Sequence, residues 1–124
     1  MERILIVEDN QELREALIET LQVMGYEVHA AASGREGISL ARQLNGPIDL
    51  LISDLVTPGM NALELHDAMQ QLAYNGKMLI ITAYPMPHAG ASLLSRPNVT
   101  WAHKPIGLHE LQLILAQLTA TRPS

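Results

Sequence analysis

Five short apolar runs recur along the chain, and segments with a helical spacing of apolar residues separate them. The runs lie at residues 4–7, 26–31, 48–54, 78–82 and 99–103. The first and fourth runs are continuous, as is typical of strands that are buried on both faces. Leu13, Leu17 and Leu21 illustrate the spacing of the intervening helices. The alternation predicts an α/β fold, in which helices cover both faces of a doubly wound parallel sheet of five strands.

Residues with capping preferences delimit the predicted helices. Asn10 can cap the first helix, and Gly25 stands where the C-terminal cap of that helix belongs. Asn61 begins the third helix, for which Asn75–Gly76 is the predicted stop.

The segment that should form the fourth helix departs from the pattern. Residues 84–91 contain two prolines and a glycine, and Arg96–Pro97 closes the segment early. We therefore expect an irregular fourth helix that is short, shifted or poorly ordered. Residues 119–124 are expected to fray or to begin a linker, so the chain is interpreted as one domain over residues 1–124 with this short tail.

The composition is that of a globular protein, and it excludes several kinds of site. Hydrophobic residues make up 48% of the 124 positions and charged residues 17%. The absence of cysteine excludes disulfides and thiolate metal sites. The net charge of -5 and the lack of a Lys/Arg cluster argue against nucleic-acid binding. No signal peptide or stretch of roughly 20 apolar residues is evident, so we expect a cytoplasmic domain without membrane contact.

Carboxylates follow two of the predicted strands. Glu8 and Asp9 come after the first apolar run, and Asp54 ends the third. Ligands of open α/β sheets bind at the carboxyl ends of the strands, where the strand order reverses. In the order 2-1-3-4-5 the first and third strands flank that point. Three carboxylates at such short distances from one another cannot all stay ionised without a cation. Hard oxygen ligands suit Mg²⁺, for which Mn²⁺ can substitute.

Two further polar residues reach the same edge. Thr82 closes the fourth strand and Lys104 follows the fifth. Acids, a hydroxyl and an amine around a hard metal ion indicate phosphoryl transfer. Asp54 is the candidate nucleophile, because a carboxylate can form an acyl phosphate. Alone, each residue has a simpler interpretation: Asp9 as a helix cap, Thr82 as a strand-terminal residue and Lys104 as a solvated lysine.

Four motifs carry a resemblance to a known family. They are Val7-Glu8-Asp9, Asp54-x-x-x-Pro58-Gly59-Met60-Asn61-x-x-Glu64-Leu65, Thr82-Ala83 and Lys104-Pro105. Over essentially its whole length the chain resembles the receiver domain of two-component response regulators, the family of the bacterial chemotaxis regulator. The resemblance implies a flavodoxin-like (βα)5 fold. The Asp54–Asn61 run and the Thr82–Pro85 turn look most like receivers of hybrid sensor histidine kinases.

The resemblance implies a phosphoacceptor site at these positions. Asp54 would accept a phosphoryl group from a histidine of a sensor histidine kinase or a His-phosphotransfer protein. Asp9, Asp54 and the main-chain carbonyl of Val56 would bind Mg²⁺, and Glu8 would act through water. Lys104 would neutralise the phosphoryl group. The domain would then be a phosphorelay switch and not a free-standing enzyme, with its output partner and oligomeric state left open.

The resemblance also implies the parts of a conformational switch. Thr82 would hydrogen-bond the phosphoryl group and swing inward on phosphorylation. Trp101 stands at the position of the aromatic switch residue, and a half-buried packing role is the alternative. Lys104–Pro105 would be a cis peptide bond, a type found essentially only before proline.

Three residues would flank the phosphoryl group, namely Val56, Ala83 and Tyr84. A branched apolar side chain at 56 and a ring at 84 should hinder the in-line attack of water. We therefore predict slow self-dephosphorylation.

Three positions depart from the family pattern. Thr57 stands where Met is usual, Ala62 where Gly is usual, and Ile106 where Phe is frequent. A non-glycine residue at 62 would be strained if its φ were positive. These departures concern the signalling surface rather than the phosphorylation site.

Two other functions are considered. One is a Mg²⁺-dependent phosphohydrolase with Asp54 as nucleophile, but such enzymes typically carry a second acid two residues on, where this chain has Val56. The other is a pseudo-receiver that is never phosphorylated and acts only as an interaction module. The full set of site residues argues against it, namely Glu8, Asp9, Asp54, Thr82 and Lys104.

Overall fold

The computed structural model describes residues 2–44, 46–55, 59–83 and 91–119. Five parallel strands form one sheet in the order β2-β1-β3-β4-β5. The strands are β1 Arg3–Val7, β2 Glu27–Ala31, β3 Leu50–Ser53, β4 Lys77–Thr82 and β5 Val99–His103. The helices are α1 Gln11–Val23, α2 Gly34–Gln43, α3 Ala62–Gln71, α4 Ala91–Leu94 and α5 Leu108–Thr119. The predicted fold class and strand order are confirmed.

The central strands are buried on both faces, which explains their continuous apolar runs. In β1, Ile4 and Ile6 pack in a cluster with residues of α1 and α5, whereas Leu5 and Val7 pack with residues of α2 and α3. All four side chains are at most 1% exposed. Full burial of such a side chain stabilises the fold by about 1.5–3 kcal/mol. The core therefore consists of two aliphatic layers, one on each side of the sheet.

Side-chain caps fix the beginnings of α1 and α3. Asn10 Oδ1 accepts a hydrogen bond from the main-chain nitrogen of Leu13 at 2.9 Å. Asn61 and Glu64 form a reciprocal capping box, with distances of 2.9 and 3.0 Å. Ala62, the first residue of α3, donates its N–H to the main-chain oxygen of Leu55 and is not among the described residues with positive φ. The replacement of glycine at 62 therefore introduces no backbone strain.

The end of α3 differs from the prediction. The helix ends at Gln71, before the expected stop at Asn75–Gly76. Ala73 has a φ of +67°, and the main-chain nitrogen of Tyr74 donates to the main-chain oxygen of Met69 at 3.0 Å. This is the Schellman arrangement, which usually has glycine at the left-handed position. No residue at this position signals a helix end, because alanine is a strong helix former.

The fourth helix is short, as expected for a segment interrupted by prolines. In the described part of the chain it consists only of Ala91–Leu94. Residues 84–90 and the predicted tail beyond 119 lie outside the described residues. None of the helices described combines the length and the apolar character needed to cross a membrane.

One long side chain connects the end of α5 to the sheet. Lys77, at the start of β4, donates from Nζ to the main-chain oxygen of Leu118 at 2.8 Å. The last carbonyls of a helix lack partners within the helix, and a cation there also suits the helix dipole. The contact holds the C-terminal turn of α5 at the edge of the sheet opposite the carboxyl ends of the strands.

Candidate functional site

Three carboxylates meet where β1 and β3 end. Val7 pairs in register with Ser53, so Glu8 and Asp54 leave the sheet side by side. Glu8, Asp9 and Asp54 each offer one carboxylate oxygen within 4.8 Å of the other two. Glu8 is buried, Asp54 half-buried and Asp9 exposed. A cluster of like charges at this spacing is unfavourable without a cation, and the set of hard oxygen donors fits a small divalent metal ion.

Lys104 brings an ammonium group into the same cluster. Its Nζ lies 2.8 Å from Asp54 Oδ2 and 3.2 Å from Glu8 Oε1. Burial disfavours the charge, but the hydrogen bonds to Asp54 and then Glu8 outweigh it, so the pKa of Lys104 is raised and the group stays protonated. Its main-chain nitrogen donates to the main-chain oxygen of Thr82 at 2.7 Å, and the peptide bond to Pro105 is cis.

Glu8 is held from several sides. Its main-chain nitrogen donates to the main-chain oxygen of Ala31 at 3.0 Å, and its Oε2 accepts from the main-chain nitrogen of Asn10 at 3.0 Å. Its main-chain oxygen accepts from a guanidinium nitrogen of Arg14 at 2.9 Å. The orientation of the Glu8 carboxylate is thus fixed by the fold before any ligand arrives.

The contact made by Arg14 was not predicted from the sequence. The residue lies one turn inside α1 and is the only basic residue of that helix. A cation near a helix N-terminus opposes the helix dipole, where acidic residues are usual. That unfavourable placement was the signal that the side chain has a specific partner.

The two predicted switch residues lie on neighbouring strands. Thr82 ends β4 and is fully buried. Trp101 lies on β5, at the edge of the sheet, where it pairs in register with Ile80 of β4 and keeps 40% of its surface exposed. This partial exposure agrees with a mobile ring and with a half-buried packing role alike.

The three phosphoryl-flanking residues are only partly described. Ala83 follows Thr82, is exposed and lines a cavity beside Asp54. Val56 and Tyr84 lie outside the described residues. The predictions made for these two side chains, and for the main-chain carbonyl of residue 56, therefore stay predictions.

Comparisons with known proteins give a consistent result. Residues 4–116 match the family of the response regulator receiver domain. The sensor kinase CckA of Brucella abortus is 28% identical over 115 residues, which cover 93% of this chain and 12% of that protein. The chemotaxis response regulator CheY4 of Vibrio cholerae superposes with a TM-score of 0.83 and 30% identity, covering 95% of this chain and 98% of that chain.

A second solved structure is similar in sequence as well as in fold. The receiver domain from the hybrid histidine kinase CckA superposes with a TM-score of 0.78 and 32% identity, covering 94% of this chain and 97% of that chain. Five curated relatives, by contrast, are covered over only 12% to 49% of their own length. The similarity therefore concerns one domain of proteins that are longer.

Proposed function

This chain belongs to the response regulator receiver domain family, and from that premise we propose that it is a Mg²⁺-dependent phosphorelay switch whose phosphoacceptor is Asp54. One observation carries the proposal. Asp54 shares the carboxyl edge of the sheet with two other carboxylates, and the Lys104 ammonium lies 2.8 Å from its Oδ2. An acid in that setting has both a counter-charge and room for a metal ion, which a strand-end acid with a capping role does not need.

The transfer step proposed at Asp54 is a nucleophilic substitution at phosphorus. A carboxylate oxygen attacks the phosphorus of a phosphohistidine, and a P–O bond forms as the P–N bond breaks. The imidazole nitrogen of the donor keeps the electron pair of the broken bond. The product is an acyl phosphate whose phosphoryl group carries about 1.5 to 2 negative charges near neutral pH. Because the carboxylate gives up its own negative charge in forming the bond, the side chain gains about 0.5 to 1 negative charge.

The described carboxylates fit the proposed Mg²⁺ site. Asp9 and Asp54 would hold the ion directly, together with the main-chain carbonyl of Val56. Glu8 would act through water, because its two carboxylate oxygens already accept hydrogen bonds from Lys104 and Asn10. When bound, the ion neutralises charge that develops on the phosphoryl oxygens. Mn²⁺ is expected to substitute, since it also prefers oxygen ligands.

Lys104 and Thr82 are proposed to convert phosphorylation into a change of shape. In the unphosphorylated domain the Lys104 ammonium is held by Asp54 and Glu8. A phosphoryl group on Asp54 would offer it a more highly charged acceptor, and the Thr82 hydroxyl would donate to another phosphoryl oxygen. Both movements bias an existing equilibrium between conformations, with Trp101 as the proposed aromatic reporter of the change.

The phosphodonor is proposed to be a histidine of a sensor kinase or a His-phosphotransfer protein in the cytoplasm. The similarity to a receiver domain of a hybrid histidine kinase supports a donor of this kind. The phosphohydrolase alternative receives no support from the family match.

Mass spectrometry of the intact protein tests the phosphoacceptor. The protein is incubated with acetyl phosphate and Mg²⁺, alongside Asp54→Asn and the control variant Asp67→Asn, which changes an exposed acid on α3. We expect a mass gain of one phosphoryl group on the wild type and the control, and none on Asp54→Asn. No gain on the wild type, or an equal gain on Asp54→Asn, would refute the proposal.

The lifetime of the phosphoryl group is a separate part of the proposal. Val56 and Tyr84 are proposed to shield the phosphorus from water, which makes self-dephosphorylation slow, and Ala83 is proposed only to flank the phosphoryl group. Phosphate release from the phosphorylated protein is timed with and without Tyr84→Ala. We expect the variant to release phosphate faster. An unchanged lifetime of the phosphorylated protein would show that Tyr84 does not protect the phosphoryl group from water.

A further inference from the structure

The turn between β2 and α2, residues 31–34, contacts both chain segments that carry the carboxylates of the acidic site. The main-chain oxygen of Ala31 accepts a hydrogen bond from the main-chain nitrogen of Glu8 at 3.0 Å. Gly34, the first residue of α2, is buried against Met60 in the segment that joins β3 to α3. The turn provides no residue of the proposed phosphoacceptor site. Its contacts therefore concern the placement of the carboxylates and not their chemistry.

Met60 occupies the space that a side chain at position 34 would fill. A methyl group built on Gly34 would lie 2.8 Å from both Cβ and Sδ of Met60 and 3.0 Å from its Cγ. Carbon atoms in ordinary contact are about 3.5–4.0 Å apart. Rotation of the Met60 side chain moves Sδ and Cγ but not Cβ, whose position follows the main chain. A side chain at position 34 would therefore displace the backbone of residue 60.

Room, and not backbone conformation, accounts for the glycine at position 34. Among the described residues, positive φ values occur at Gly25 and Gly59 but not at Gly34. Alanine is favoured over glycine within a helix. The start of α2 is also fixed, because Ser33 Oγ accepts a hydrogen bond from the main-chain nitrogen of Glu36 at 3.2 Å. What the position requires is the absence of a side chain.

A short route of contacts leads from Met60 to the proposed phosphoacceptor. Ala62, two residues after Met60, donates its main-chain N–H to the main-chain oxygen of Leu55 at 3.0 Å. Leu55 directly follows Asp54. A displacement of Met60 therefore acts on the hydrogen bond that closes this segment, and through that bond on the position of the Asp54 carboxylate.

We propose that Gly34 is a positioning residue of the acidic site. By leaving room for Met60, it lets the turn hold the segment after Asp54 in place relative to Glu8, at the spacing that a shared divalent ion requires. This role rests on the proposed function, since it requires the carboxylates to bind Mg²⁺. Helix α2 contributes no ligand, yet it sets the affinity for the ion through the segments that it contacts.

Titration with Mg²⁺, followed by amide NMR shifts, compares the wild type with Gly34→Ala. We expect the variant to bind Mg²⁺ about tenfold more weakly, as is usual when a group that orients a metal ligand is changed. Arg35→Ala, which changes the exposed neighbour on α2, should keep the wild-type affinity. Equal affinities of the wild type and Gly34→Ala would overturn this inference alone. A wild type that does not bind Mg²⁺ would refute the proposed function together with it.

Hydrogen exchange of the metal-free proteins tests the displacement itself. In Gly34→Ala the amide of Ala62 should exchange about tenfold faster than in the wild type, because its hydrogen bond to Leu55 is loosened. The amide of Ile6, in the centre of the sheet, measures global stability in the same sample. An equal acceleration at Ala62 and Ile6 would show that the role of Gly34 is purely structural and would refute the proposal.

A double-mutant cycle tests whether Gly34 acts through Met60. Met60→Gly removes the three atoms that a methyl group at position 34 would meet. In that background Gly34→Ala should cause no further loss of Mg²⁺ affinity, although each single replacement weakens binding. A further loss of about tenfold in the double variant would show that Gly34 acts independently of Met60, and the proposal would be wrong.

Discussion

At the scale of single residues, a guanidinium group on α1 supports the acidic site through the main chain. Arg14 donates to the main-chain oxygen of Glu8 at 2.9 Å. That carbonyl belongs to the peptide that joins Glu8 to Asp9, so its position affects both carboxylates. Arg14 touches neither the metal ion nor the phosphoryl group in our proposal, and it is best described as a positioning residue.

Replacement of this residue should weaken the metal site without abolishing the fold. For Arg14→Ala we expect a loss of about tenfold in Mg²⁺ affinity, as is usual when a group that orients a metal ligand is removed. Arg14→Lys should recover part of the affinity. Tryptophan fluorescence on titration with Mg²⁺ measures both, with the exposed Arg42→Ala on α2 as the control. Wild-type affinity in Arg14→Ala would show that the contact is only structural.

A buried histidine on α3 makes stability depend on pH. His66 is 4% exposed, and its Nδ1 lies 2.9 Å from a guanidinium nitrogen of Arg96, which also pairs with Asp67 at 2.7 Å. Because the guanidinium donates, Nδ1 accepts and the ring is neutral. Burial, followed by the charge of Arg96, lowers the pKa of His66 below 6.5, with Asp67 acting in the opposite direction.

The sign of the pH effect follows from this direction. The unfolded chain takes up a proton on residue 66 at a higher pH than the folded protein does. The contribution of neutral His66 to the free energy of unfolding is complete above pH 6.5. It is lost as the pH falls from there through the pKa of His66 in the folded protein. Urea unfolding between pH 8 and pH 5 should therefore show a steeper loss of stability for the wild type than for His66→Gln. The exposed His109→Gln should behave as the wild type, and identical slopes for all three proteins would contradict the prediction.

At the scale of elements, the end of α3 stores backbone strain that can be removed. Ala73 occupies the left-handed position of the helix end with a φ of +67°, where an alanine is less stable than glycine by about 1 kcal/mol. Ala73→Gly should raise the free energy of unfolding by about that amount. Ala68→Gly, in the interior of the same helix, should lower it by about 1 kcal/mol. Chemical denaturation of both variants measures these changes in the free energy of unfolding. A lower stability of Ala73→Gly than of the wild type would contradict the prediction.

The same helix shows what the sequence could and could not predict about elements. The beginning of α3 was predictable, because Asn61 and Glu64 have the side chains and the spacing of a capping box. Its end was not, since the left-handed residue is an alanine and the glycine that suggested a stop lies three residues later. The shortness of α4 was predictable from the prolines that precede and follow it in the sequence. A residue pattern predicts an element boundary only where the chemistry of the cap is specific.

At the scale of the whole molecule, the acidic cluster would couple the proposed metal binding to folding. Three carboxylates within 4.8 Å exist only when β1 and β3 are paired, so the unfolded chain has no comparable site. Mg²⁺ at ten times its dissociation constant should raise the free energy of unfolding by about 1.4 kcal/mol. Thermal unfolding at increasing Mg²⁺ measures the effect. Asp9→Asn should lose most of the shift, and an equal shift in wild type and variant would argue against this site.

The assembly of the site was predictable to the extent that it depends on topology. Once β1 and β3 are neighbours, the residues after them must meet, and the acids at 8, 9 and 54 could be placed together from the sequence alone. The contacts that hold them were not predictable in the same way. Arg14 binds a main-chain oxygen, and Lys104 contacts two carboxylates. These contacts depend on the conformations of long side chains, which the residue pattern does not specify.

The bond between Lys77 and Leu118 has a mechanical consequence. A force that acts on the chain beyond Thr119 pulls first on the last turn of α5. An ammonium-to-carbonyl contact of 2.8 Å connects that turn to β4, and Leu118 packs against the core. Under load this contact shares the tension with the final helical turn and passes it to a strand inside the sheet. We therefore expect this bond to pass part of such a force to the start of β4, at the edge of the sheet opposite Asp54.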